Sequence, residues 1–182
     1  MISNNTGITS GGGIWSWEAY PSLENVTISS NTAGLGGGGG IYSYSSEISL
    51  LNVNISDNWT SSGPGGGISL ILSIPILTNV TISGNVATGE YGFGGAIYHE
   101  TVSYSTLLNC ILWNNSPQEI YFSDEANGFY SGSTTAAYCD IQGGEDGIIT
   151  NDNSTVSWGE GNIDLDPLFN NSENGDYTLQ EG

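Results

Sequence analysis

Few residues in this chain can do covalent or acid–base chemistry, and most of them are acids. Asp140, Asp146, Asp164 and Asp166 form the densest acidic stretch, and two carboxylates placed across a glycosidic bond are the core equipment for hydrolysing it. Turn formation is the simpler use, because an aspartate readily accepts nearby backbone N–H groups. "NIDLDP" reads that way more easily than as an acid–base pair. Calcium is a further use: Asp164 and Asp166 offer hard oxygen ligands, although no EF-hand or Gly-Gly-x-Gly-x-Asp pattern accompanies them. His99 is the single histidine. With no Cys or His cluster beside it, it is expected to be a strand residue of "AIYHE" rather than a zinc ligand.

The charge balance narrows the partners. The 182 residues carry a formal charge of -19 with no Lys or Arg, and 37% of them are apolar, enough for a core. Without cationic side chains the chain cannot neutralise phosphates, so anionic lipid headgroups are poor partners and nucleic acid is effectively excluded. A polyanionic surface instead favours a saline or calcium-containing medium. No apolar run is long enough to span a bilayer, so direct membrane insertion is not expected. Asn-x-Ser/Thr sequons at Asn4, Asn25, Asn54, Asn58, Asn79, Asn114, Asn153 and Asn170 would permit glycosylation in a suitable secretory system.

The elements that must position these residues are repeats. "GGGIWSW", "GGGIYSY", "GGGISLI" and "GGAIYHE" place Ile14, Ile41, Ile68 and Ile97 in register, and "LENVTISSN", "LLNVNISDN", "LTNVTISGN" and "LLNCILWNN" follow them. Two asparagine columns result: Asn25, Asn52, Asn79 and Asn109, and then Asn31, Asn58, Asn85 and Asn115. Short runs of β-branched residues broken by Gly and Asn argue for strands and tight bends, not helices. A coil of roughly 27 to 30 residues per turn then stacks equivalent residues about 4.8 Å apart. The isoleucines become an inward ladder, as do Val26, Val53, Val80 and Cys110, and Ile28, Ile55, Ile82 and Leu112. Bend asparagines tolerate left-handed backbone angles and can bond to their copies above and below. Cys110 and Cys139 become neighbours on adjacent turns, a spacing open to a disulfide and to two buried thiols alike.

These blocks resemble the right-handed parallel β-helix repeats of bacterial surface proteins, including the chlamydial polymorphic outer-membrane proteins. "NCILWNNSPQEIYF", "YCDIQGG" and "GNIDLDPLFNNSENGDYTLQEG" are similar to the closing coils of secreted β-helix proteins of environmental bacteria. The resemblance implies an all-β, right-handed parallel β-helix (β-solenoid) of about six coils in a single domain, 1–182, with regular coils over 1–114 and irregular closing coils over 115–182. It also implies an extracellular or cell-surface location. Lyases of this fold generally use Lys or Arg as the base, and this chain has neither.

Strand alternation turns Trp15, Trp17, Tyr42, Tyr44 and Tyr98 outward as a flat apolar stripe that sugars or a protein could use, or that serves packing between turns. Ser69 and Ile71 interrupt it. Both ends read as uncapped coils, whose open strand edges could stack protomers end to end. The expectation is therefore a non-catalytic, extracellular structural or adhesive solenoid that self-associates into a filament, without an obligatory cofactor. A carbohydrate-binding module of a larger surface protein is the alternative, ahead of a polysaccharide hydrolase.

Overall fold

The structure is a computed structural model and describes residues 1–124 and 131–180. Each repeat forms one turn of a parallel β-solenoid, and equivalent strands of successive turns stack into columns. The aromatic face stacks Ile14–Trp17, Ile41–Tyr44, Ile68–Ile71, Ile97–Glu100 and Ile120–Phe122. A second face runs from Ser22–Glu24 to Thr155–Trp158 and a third from Ile2–Ser3 to Asp140–Ile141, each six-stranded. A short four-stranded column, Thr6–Gly7 to Val86–Ala87, closes the turn. The expected six coils correspond to these six rungs, which make about five complete turns. Rungs stay in register beyond residue 114: Leu107 pairs with Ala136 and Ala136 with Trp158.

The register follows the sequence columns. Ile68 pairs with Ile41 and Ile97, and Ile82 with Ile55 and Leu112. Ile41, Ile68, Ile97 and Ile120 are buried, as are Ile28, Ile55, Ile82 and Leu112, and Leu50, Leu77 and Leu107. Burial of each such side chain contributes about 1.5–3 kcal/mol. On the first rung Ile2, Ile14, Leu23 and Val26 are only partly buried, because neighbours cover them from one side. Gly38, at the corner three residues before Ile41–Tyr44, has φ 68, and a Cβ there would lie 2.5 Å from the Ile41 carbonyl oxygen. The repeat therefore needs glycine at that corner.

Both asparagine columns form hydrogen-bonded ladders. The inner one is buried: the Asn31 N–H and Nδ2 both donate to Asn58 Oδ1, at 3.0 and 2.9 Å, and Asn58 does the same to Asn85. Asn85 repeats the pattern onto Asn115, and Asn5 adds a first step onto Asn31. The Nδ2 groups of Asn31, Asn58, Asn85 and Asn115 also hold a carbonyl of an earlier turn, as Asn58 does with Ile28 at 3.0 Å. The outer ladder is exposed and runs the other way, with Asn52 donating to Asn25, Asn79 to Asn52 and Asn109 to Asn79. Its members sit at φ 53 to 56, the left-handed corner that asparagine tolerates. A buried serine column, Ser46, Ser73 and Ser103, links turns at another corner.

The last segment departs from the coil pattern. Phe169–Asn171 and Asp176–Leu179 form an antiparallel hairpin, and the Tyr177 hydroxyl donates to the Asp57 carboxylate at 3.1 Å. The chain's end is thereby fastened to an early turn instead of forming another rung.

The two ladders predict different mutational costs. Asn58→Ala leaves the Asn31 N–H without its buried acceptor and strips a bond from the Ile28 carbonyl, so a loss of about 2–4 kcal/mol is expected in urea denaturation. Asn52→Gly, in water and with a residue that accepts the left-handed backbone, should cost less than about 1 kcal/mol. Equal costs would contradict the assignment of the inner ladder as a buried structural element.

Candidate functional site

Trp15 and Trp17 project from the first strand of the aromatic face and remain 58% and 47% exposed. Trp15 pairs with Tyr42 and Trp17 with Tyr44 on the next turn. Trp17 and Tyr44 lie 4.0 Å apart between centroids and 9° from parallel, while Trp15 meets Trp17 at 5.7 Å and 36°. Rings stacked along the solenoid axis stand across it, so they present edges outward and do not form the flat platform expected. Tyr42 is half-buried. Its hydroxyl pKa is raised, first by burial, then by the negative charge of Glu100 and by Tyr44.

Tyr98 is a correction. It lies in the outward column, paired with Ser69 and Tyr121, yet only 8% of it is exposed. Tyr121 stacks on it at 6.1 Å and 7°, and Phe93 stacks on Tyr121 at 4.6 Å. The stripe therefore divides into exposed Trp15 and Trp17 with half-buried Tyr42 and Tyr44 beside them, and a covered group around Tyr98. Phe93 in "GFGGAIYHE" was the available signal, an aromatic in a corner otherwise made of small residues.

The acidic stretch behaves as turn formers. Asp140 accepts the Leu165 N–H at 3.1 Å, Asp164 the Gly143 N–H at 3.1 Å and Asp166 the Leu168 N–H at 3.0 Å. Burial raises the Asp140 pKa, and the charges of Asp164 and Asp166 add to that. Asp146 lies apart in the short turn Glu145–Gly147, beside an open depression with Thr150 and Ser154. Among the described residues no three His, Cys, Asp or Glu side chains assemble into a metal-binding group.

Cys110 and Cys139 are buried free thiols on adjacent turns, with the Cys110 N–H donating to Cys139 Sγ at 3.4 Å. The Cys110 pKa is raised by its hydrogen bond with Cys139 and by burial. Of the sequon asparagines, Asn58 is fully buried with its amide engaged in the inner ladder, so it cannot accept a glycan in the folded chain. Asn54 is half-buried, whereas Asn4, Asn25, Asn79, Asn114, Asn153 and Asn170 are exposed.

A family model described as the right handed beta helix region matches residues 1–133. The chain belongs to the right-handed β-helix family. No curated protein and no solved structure matches it.

Within this β-helix two buried titratable groups were missed or underread in the sequence. Glu119 ends the inner ladder: its Oε1 accepts the Asn115 N–H at 3.1 Å and its Oε2 accepts Asn115 Nδ2 at 2.6 Å. A carboxylate suits that end, because the amides all donate toward it and it only accepts. Burial nevertheless pushes its pKa up from 4.5 to about 7, against those two bonds. His99 lies inside the coil, stacked on Phe122 at 4.3 Å, with Nε2 shared by the Ser105 and Thr134 hydroxyls. Burial lowers its pKa from 6.5 to about 3.

The two groups act oppositely on stability. His99 binds its proton more weakly in the folded state, so its contribution is complete above pH 6.5 and is lost as pH falls toward 3. Glu119 binds its proton more tightly in the folded state, so its contribution is present below pH 4.5 and is lost as pH rises toward 7. Glu119→Gln removes the second effect. Its stability relative to the parent should rise by about 1.4 kcal/mol per pH unit between those two values, read from urea midpoints. A pH-independent difference would show that Glu119 titrates as an ordinary carboxyl.

Proposed function

We propose that this β-helix is a non-catalytic structural or adhesive module, exposed outside the cell or on its surface, that presents a rigid and uniformly anionic surface. The observation that carries the reading is the use of its buried polar side chains. Asn31, Asn58, Asn85 and Asn115 bond to their copies on neighbouring turns, and Ser46, Ser73 and Ser103 link turns in the same manner. Side chains committed to holding turns together do not converge on a substrate. The acids of the Asp140 to Asp166 region accept backbone N–H groups for the same structural end. Exposed sequons and the lack of any cationic side chain favour the extracellular setting.

End-to-end association belongs to this reading. The half-buried Ile2, Ile14, Leu23 and Val26 are matched on later turns by fully buried residues. A further rung, from a longer polypeptide or from a second copy, would bury them. Carbohydrate binding is the second reading, favoured by the exposure of Trp15 and Trp17.

Electron microscopy of the purified chain, paired with reducing-sugar assays on a panel of polysaccharides, tests the proposal. Rods or filaments with no sugar released are the expected result. Dispersed particles would remove self-association from it, and polysaccharide cleavage abolished by Asp164→Asn would overturn the non-catalytic assignment.

A further inference from the structure

Two thiols take no part in the proposed function. Cys110 and Cys139 are the only cysteines of the chain, and both are buried and free. They occupy equivalent places on successive turns, because the residues on either side pair in register, Leu108 with Ala137 and Ile111 with Asp140. Their Cα atoms are therefore one strand spacing apart, about 4.8 Å, within the range of about 4.4 to 6.8 Å that a disulfide requires.

The side chains share one orientation. Cys110 Sγ donates to the Leu108 carbonyl at 3.4 Å and Cys139 Sγ to the Ala137 carbonyl at 3.2 Å, two residues back in each case. The Cys110 N–H, donating to Cys139 Sγ at 3.4 Å, holds the later sulfur toward the earlier turn. Hydrogen bonding with the Cys110 side chain also lowers the Cys139 pKa, against the opposing effect of burial. Cys139 is thus the readier thiolate of the two.

Cys139 lies where its face of the stack ends. Asp140–Ile141 is the last strand of that face, and the segment above pairs with it as an isolated bridge, Asp140 with Ile163. Asn162 Oδ1 adds one contact, accepting the Cys139 N–H at 2.8 Å. A depression of about 370 Å³, lined by both cysteines with Ile111, Ile163, Leu165 and Pro167, opens beside them. Local opening of 161–163 gives a small oxidant its route to the sulfur.

We propose that Cys110 and Cys139 are a reversible redox pair, closed to a disulfide between turns by a small-molecule disulfide such as oxidised glutathione, and that the bond staples the end of the stack. Cys139, as thiolate, attacks one sulfur of the oxidant, whose S–S bond breaks and whose other half leaves as a thiolate and takes up the proton. Cys110 turns its Sγ away from the Leu77 carbonyl, a weak contact at 3.5 Å, loses its proton and attacks Cys139 Sγ, releasing the second half. Two protein thiols are oxidised and one disulfide is reduced to two thiols. Excess thiol reverses the exchange. The staple is independent of whether the module self-associates or binds sugar.

The test refolds the full chain from urea in mixtures of reduced and oxidised glutathione, blocks remaining thiols with N-ethylmaleimide under denaturing conditions and weighs the intact product. In the oxidising mixture a monomer about 2 Da lighter, with no maleimide and no glutathione attached, is expected, whereas the reduced chain takes up two maleimides. The urea midpoint of the lighter monomer should lie above that of the reduced chain. Cys110→Ser and Cys139→Ser should each abolish that gain.

Two maleimides taken up in every mixture, a persistent glutathione adduct on the parent chain, or covalent dimers in place of the lighter monomer would overturn the proposal. A lighter monomer whose urea midpoint is unchanged or lower would overturn it as well, since the bond would then not hold the turns together.

Discussion

A buried asparagine amide sets the terms for the rest of this structure. It carries two N–H donors and an acceptor oxygen, all removed from water, and leaving any of them unpaired costs about 1–3 kcal/mol. In the inner column the partner that satisfies each amide is another asparagine one turn away. That requirement locks the register: a turn one residue longer or shorter on the wrong side would place Gly84 or Val86 where Asn58 must find Asn85. Variation in turn length is therefore confined to other corners, such as the bend before Gly94 that contains Phe93. The same directional chain explains why it ends in a carboxylate, since the last amide donates and Glu119 accepts.

The aliphatic columns supply most of the favourable burial, but they are less demanding about identity. Leu112 replaces isoleucine without breaking the stack, and Cys110 and Cys139 replace valine. Hydrophobic burial is non-directional, so one apolar side chain of suitable size substitutes for another. Polar ladders select register, and apolar columns select compactness. Between them they leave the outward positions of the aromatic face free to vary, which is where Trp15, Tyr42, Ser69 and Tyr98 differ from turn to turn.

Much of the fold was legible because it repeats. The isoleucine columns and both asparagine ladders needed only the alignment of "GGGI" and "NVTIS" blocks, and the structure places them in those registers. What escaped detection is non-periodic. Glu119 closes the inner ladder from a corner that occurs once, whereas Asn5, three residues after Ile2 as Asn31 is after Ile28, fits the repeat. The covering of Tyr98 depends on Phe93 and Tyr121, which come from a bend and from the next turn. Alternation correctly gives the side of the sheet a residue faces, but it carries no information about what then lies over it. The Tyr177 to Asp57 contact, separated by 120 residues, lies beyond any local pattern.

That contact has a mechanical consequence. A solenoid held from its last rung and pulled would otherwise peel open one turn at a time, each step breaking a single row of backbone bonds. Because the hairpin doubles back onto the side of the stack at the turn that carries Asp57, tension applied at residue 180 first loads that lateral contact and only afterwards the last rung. One exposed hydrogen bond contributes about 1 kcal/mol, so it delays peeling of the coil without preventing it.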